Sequence, residues 1–82
     1  MRTVIHGDHK VEIHMGFWGN ERVFYDGCLV SDKWSVAGTT HIFRAAEEDQ
    51  PVQYEVTIGP RWYLVSAWCE VRRNGITVYT DR

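Results

Sequence analysis

Four histidines (His6, His9, His14, His41), two cysteines (Cys28, Cys69) and the consecutive acids Glu47-Glu48-Asp49 are the side chains that could do chemistry in this 82-residue chain. If Gly7-Asp8 is a tight turn, His6 and His9 face each other across it within reach of one metal ion, with Asp8 as an oxygen ligand in the loop. His14 has the opposite strand parity to His9, so the run HGDHKVEIH does not converge on one ion. A pair of ligands at a turn is more often a solvated polar end, and metal catalysis needs a third ligand and an open position. The reading is therefore no metal, with His6, Asp8 and His9 as the candidates if there is one.

A thiol nucleophile at Cys28 or Cys69 would need partial exposure and a histidine within hydrogen-bond reach. Both cysteines fall instead on predicted apolar strand faces and read as reduced core thiols. Glu47, Glu48 and Asp49 are consecutive in a charged loop and read as solvated. The chain has no HExxH, no GxSxG and no glycine-rich phosphate loop, and Gly16-Phe17-Trp18-Gly19 has no following helix to hold an anion. The chemistry reads as non-enzymatic and without a cofactor.

The elements that position these residues are strands. Arg2 to His6 and His9 to Met15 flank Gly7-Asp8, a type II′ signal that would set Val4 opposite Val11 and Arg2 opposite Ile13. Glu21 to Tyr25 and Cys28 to Ser31 flank Asp26-Gly27, a type I′ signal pairing Tyr25 with Cys28, Phe24 with Leu29 and Val23 with Val30; both faces of this hairpin are apolar near the turn, which suggests cover on both. A short strand is expected over Ser31 to Gly38 and another over His41 to Ala46, followed by the charged loop Glu47 to Pro51; a single helical turn over Ala45 to Asp49 is the competing reading. Val52, Tyr54, Val56 and Ile58 alternate with polar residues as in a half-buried strand.

The strongest element is the last hairpin, Trp62 to Arg73 and Ile76 to Thr80 around Asn74-Gly75. Its expected register pairs Arg73 with Ile76, Val71 with Val78 and Cys69 with Thr80, and sets Trp68 next to Asp81. One face, Tyr63, Val65, Ala67, Cys69, Val71, Ile76 and Val78, is a core face. The other carries Trp62, Leu64, Trp68 and Tyr79 among polar residues.

About eight short strands with frequent turn signals predict an all-β fold, an antiparallel β-sandwich joined by tight hairpins, as one domain over residues 1–82. Eight strands of ~10 residues plus loops would exceed this length, which argues against a ligand-enclosing barrel. A net charge of −2 with interspersed signs removes the usual driver of nucleic-acid affinity. Apolar runs of a few residues are far short of the ~20 needed to span a bilayer, and the first residues open no export signal, so a cytoplasmic protein is expected.

Asp8-His9-Lys10-Val11-Glu12-Ile13-His14, Trp18-Gly19, Arg22-Val23 with Tyr25-Asp26-Gly27, Trp34 and His41-x-Phe43 together resemble the Fas apoptotic inhibitory molecule family. Tyr54 to Ile58, Trp62-Tyr63 and Asn74-Gly75 extend the resemblance over nearly the whole chain. It implies an all-β sandwich without enzymatic activity that acts inside the cell through protein contacts. Animal members carry two such domains in tandem and this chain has room for one, so regulation of apoptosis does not transfer. No catalytic or cofactor residues are available to carry over.

The expected function is a non-enzymatic protein-interaction module. Its contact surface would be Trp62, Leu64, Trp68 and Tyr79, with Trp18 from the glycine-flanked loop, since tryptophan and tyrosine combine apolar area with a polar tip. The competing reading is that this face is covered by another strand, the Phe17-Trp18 loop or Trp34. Two further alternatives are a small-ligand or carbohydrate-binding domain using surface Trp and Tyr, and a metal-binding protein through His6 and His9. The expected partner is a protein, with no nucleic acid and no membrane; an edge strand or the aromatic patch offers a route to a homodimer.

Overall fold

The computed structural model describes residues 2–16, 19–35, 38–59 and 67–82. These form eight strands: β1 (Arg2–His6), β2 (His9–Met15), β3 (Asn20–Tyr25), β4 (Cys28–Trp34), β5 (Thr39–Glu47), β6 (Gln50–Ile58), β7 (Cys69–Arg73) and β8 (Ile76–Thr80). They make two antiparallel four-stranded sheets, each a meander in chain order, β1-β2-β3-β4 and β5-β6-β7-β8. The fold is all-β, two antiparallel four-stranded sheets, consistent with the β-sandwich class. Contacts divide the chain into two compact units, Met1–Val36 and Ala37–Arg82, one built on each sheet.

In the first unit the β1–β2 hairpin has the register its sequence predicts, His6 opposite His9, Val4 opposite Val11 and Arg2 opposite Ile13. Gly7 takes φ +60° and Asp8 keeps a negative φ, the II′ pattern. Alternation then separates two faces. Val4, Val11, Ile13, Glu21 and Val23 on one side are buried. Thr3, Ile5, Lys10, Glu12, His14, Asn20, Arg22, Phe24, Leu29, Asp32 and Trp34 on the other are all exposed or half-buried.

The β3–β4 hairpin turns at Asp26 (φ +49°) and Gly27 (φ +86°), a type I′ turn that pairs Tyr25 with Cys28 and Phe24 with Leu29. Past that point the register shifts. Val30 is an extra residue, and Val23 lies opposite Ser31 rather than Val30. β4 is an edge strand that continues to Trp34, so the expected separate strand beginning at Ser31 is the second half of β4. As an edge it buries little: Leu29 and Cys28 are exposed, which corrects both the expected cover on this hairpin's two faces and the placement of Cys28 in the core.

In the second unit the expected loop from Glu47 to Pro51 is a two-residue turn, Glu48 (φ +52°) and Asp49 (φ +62°), with Glu47 opposite Gln50 and Pro51 opposite Ala46. Pro51 fits because its ring nitrogen points away from β5, and β7 ends opposite Tyr54 and does not reach it. His41, Phe43, Val52, Tyr54, Val56, Ile58, Cys69 and Val71 form the buried face, with Ala67 buried just ahead of β7. Among the described residues, the buried members of the predicted core face are Ala67, Cys69 and Val71.

The last hairpin turns at Asn74 (φ +50°) and Gly75 (φ +81°) with Arg73 opposite Ile76. Val78 is then an extra residue, so Val71 lies opposite Tyr79 and Glu70 opposite Thr80, instead of the expected Val71–Val78 and Cys69–Thr80 pairs. Asp81 meets Cys69, not Trp68, through Asp81 N–H to Cys69 O at 3.1 Å and Cys69 N–H to Asp81 Oδ1 at 2.6 Å. Ile76, beside the turn, is exposed instead of buried. β7 begins at Cys69; Ala67 and Trp68 precede it, and the rest of the long strand expected from Trp62 lies outside the described residues.

A side chain at Gly75 would meet nothing within 4 Å, so only the left-handed backbone opposes one. Gly75→Ala is expected to lower unfolding free energy by about 1 kcal/mol with an unchanged denaturant slope, read by urea titration.

Candidate functional site

Of the residues expected to form a contact surface, Trp18, Trp62 and Leu64 lie outside the described residues. Trp68 is half-buried, its indole resting against Gly59 so closely that a Cβ there would overlap the ring atoms. The Arg82 guanidinium sits 4.7 Å above the Trp68 ring centre, a cation–π contact. Tyr79, also half-buried, donates its hydroxyl to Asp81 Oδ2 at 3.0 Å. Because Val78 is bulged, Tyr79 sits opposite Val71, on the strand parity of the core, and does not share the parity of Trp68.

His6 and His9 face each other as expected. His9 is engaged elsewhere, however: its Nδ1–H donates to Asp26 Oδ2 at 2.7 Å, and its ring stacks on Tyr25 with centroids 5.4 Å apart. Asp26 also accepts the Lys10 N–H through Oδ1 at 2.8 Å, while its own N–H donates to Lys10 O at 2.9 Å. The Asp26-Gly27 turn is thereby tied to the start of β2. Among the described residues no group of three or more His, Cys, Asp or Glu is arranged to hold a metal ion.

The second unit buries a polar cluster that strand propensity does not announce. Glu47, 5% exposed, accepts the Tyr54 hydroxyl on Oε2 at 2.5 Å and Arg73 Nε–H on Oε1 at 2.9 Å, with Arg73 Nη2 2.8 Å from the same oxygen. Phe43 stacks on Tyr54 with centroids 5.1 Å apart. Register explains the meeting: Phe43, Tyr54 and Arg73 stand opposite one another across β5, β6 and β7, and Glu47 shares their face. Burial first, and the hydrogen bond to Glu47 second, push the Tyr54 hydroxyl up to about 12. A tyrosine acting as a base or nucleophile at neutral pH needs the opposite shift; through these contacts the cluster links β5, β6 and β7. Cys69 is buried and Cys28 exposed, both as free thiols.

Among the described residues, three of the five exposed large apolar side chains lie on the open face of the first sheet. Ile5, Leu29 and Trp34 are 65%, 51% and 67% exposed. Phe24, half-buried, stands directly opposite Leu29, and His14 lies against its ring at 4.8 Å. The charges between them pair locally, Lys10 with Glu12 at 3.4 Å and Arg22 with Asp32 at 3.6 Å, leaving this face near neutrality. At the end of the β2–β3 hairpin a depression of about 300 Å³ opens, lined by His14, Met15, Gly16, Asn20, Arg22 and Phe24. The sequence offers Trp34 on a short strand and as cover for the other aromatics; its alternation with Asp32 along β4, once the extra residue Val30 is allowed for, places it on this face.

Among the described residues no helix is long and apolar enough to cross a membrane. No family model matches the chain, and comparisons with curated proteins and with solved structures find no match.

Removing the Tyr54 hydroxyl leaves a buried Glu47 oxygen without its donor, so Tyr54→Phe is expected to cost about 1–2 kcal/mol near pH 7. The raised folded pKa also predicts a pH dependence. Above the ordinary tyrosine value of 10 the unfolded chain loses its proton while the folded chain keeps it until about 12. That contribution is complete below pH 10 and falls by about 2 kcal/mol as pH rises to the folded value. Urea titrations of wild type and Tyr54→Phe across this range are expected to converge as pH rises.

Proposed function

We propose that the chain is a non-enzymatic protein-interaction module that works in the cytoplasm, with the open face of the first sheet as its contact surface. The observation that carries this reading is that three exposed apolar side chains share one face, Ile5 on β1 and Leu29 and Trp34 on β4, with half-buried Phe24 opposite Leu29. Large apolar groups concentrated on one face mark partner surfaces more than scattered ones do, and a tryptophan among them is the usual energetic anchor. The local pairing of Lys10 with Glu12 and Arg22 with Asp32 favours a protein partner over nucleic acid, because no unbalanced positive field remains to draw phosphates. The free thiols of Cys28 and Cys69 support a reducing compartment. The resemblance to the Fas apoptotic inhibitory molecule family supports the same role.

A second reading is favoured by the depression lined by His14, Asn20, Arg22 and Phe24, whose aromatic and polar side chains suit a small ligand or sugar.

The test is affinity capture with the immobilised full chain, comparing wild type, Trp34→Ser and the exposed control Ile76→Ser, read by quantitative mass spectrometry. A partner retained by wild type and by the control is expected to bind Trp34→Ser at least about tenfold less well. Both substitutions are expected to change folding stability by no more than about 0.5 kcal/mol. Equal capture by all three proteins would overturn the assignment of this face.

A further inference from the structure

Among the described residues the four sheet edges are not alike. β1 is five residues long. β4 is interrupted by the extra residue Val30 and carries Asp32 and Lys33 side by side. β8 is interrupted by the extra residue Val78. These are the usual devices that keep an edge from recruiting another strand: shortness, charge and bulging. β5 is neither short nor bulged, and the exposed row along it carries one charge, Arg44. It runs nine residues, Thr39–Glu47, contains no proline or glycine, and stays in unbroken register with β6 from end to end.

Its edge is also chemically plain. Glu47 and Gln50 close the two-residue turn as a hydrogen-bonded pair, so alternation turns the N–H and C=O groups of Ile42, Arg44 and Ala46 away from β6 and toward the sheet edge. The side chains of these three residues are exposed, Ile42 at 57%, and Arg44 is the one charge among them.

We propose that β5 is a homodimerisation edge, on which a second copy of this chain adds its own β5 antiparallel about a two-fold axis at Phe43, joining the two copies' second sheets into one. The argument for a second copy lies in the strand itself. An antiparallel self-pairing centred on Phe43 is the register that uses all nine residues, because Thr39 then meets Glu47 of the second copy. In that register Ile42 stands opposite Arg44 of the second copy and Thr40 opposite Ala46. The single cation of the exposed row thus lies against an apolar neighbour and its aliphatic stem, away from its own symmetry mate. The proposal does not depend on the contact face of the first sheet.

Analytical ultracentrifugation of the full chain up to high micromolar concentration tests it, with Ile42→Lys and Ile42→Glu as opposed variants. A reversible wild-type dimer is expected. Lysine at 42 would face Arg44 of the second copy twice in the dimer and weaken association by about tenfold, while glutamate there would strengthen it by a similar factor. A wild type that stays monomeric over the whole range overturns the proposal. So do lysine and glutamate variants with equal dissociation constants, which would move any dimer to another surface. If either variant folds poorly, amide exchange of the wild type serves instead: the Ile42, Arg44 and Ala46 amides are expected to gain protection as concentration rises, and protection independent of concentration overturns the proposal.

Discussion

Side chains alternate across a strand, so the pairing register at each reversal decides which half of the chain is core and which half is surface. In this protein the register is set at reversals of two residues, and the backbone there enters the left-handed region at Gly7, Asp26, Gly27, Glu48, Asp49, Asn74 and Gly75. Everything else follows from where these turns sit. They put Val4, Val11, Ile13 and Val23 on the buried side of the first sheet and Phe24, Leu29 and Trp34 on its open side. In the second sheet the β5–β6 turn sets Phe43 opposite Tyr54 and the β6–β7 pairing adds Arg73 to that row, which lets Glu47 be buried with its charge matched.

The two bulges modify that frame in a consistent way. Each adds one residue to the outermost strand of its sheet, Val30 on β4 and Val78 on β8. An extra residue on an edge strand costs little, since its other side pairs with nothing in the sheet, and it twists the edge out of the geometry that another strand would need. The same insertion reverses the parity of everything beyond it. Tyr79 thereby moves to the parity of Val71, and the aromatic patch expected from a regular hairpin is divided.

The polar cluster around Glu47 has a structural role. A carboxylate 5% exposed would be costly alone. Here one oxygen takes the Tyr54 hydroxyl and the other the Arg73 guanidinium, so both of its acceptors are used. The pair fixes β5 against β7 across β6, which supports the long, regular β5 edge. Such an arrangement ties specificity of strand alignment to a buried ion pair, one of the attested uses of buried charge.

Local chemistry was enough to read the all-β class, the hairpins at Gly7-Asp8, Asp26-Gly27 and Asn74-Gly75, and the half-buried alternation of Val52 to Ile58. Each rests on conformational preferences of two residues or on a period of two, and both are properties of short sequence. The Glu48-Asp49 turn was not legible, because neither residue is glycine and the run Glu47 to Pro51 reads as a solvated loop; the strands on either side, aligned through Glu47, Tyr54 and Arg73, hold it in the left-handed region. Nor could sequence locate the bulges or expose Cys28, Leu29 and Trp34. Those features depend on which strand lies at an edge and on where a ladder absorbs one residue more than its partner, and both are settled only when distant strands pair.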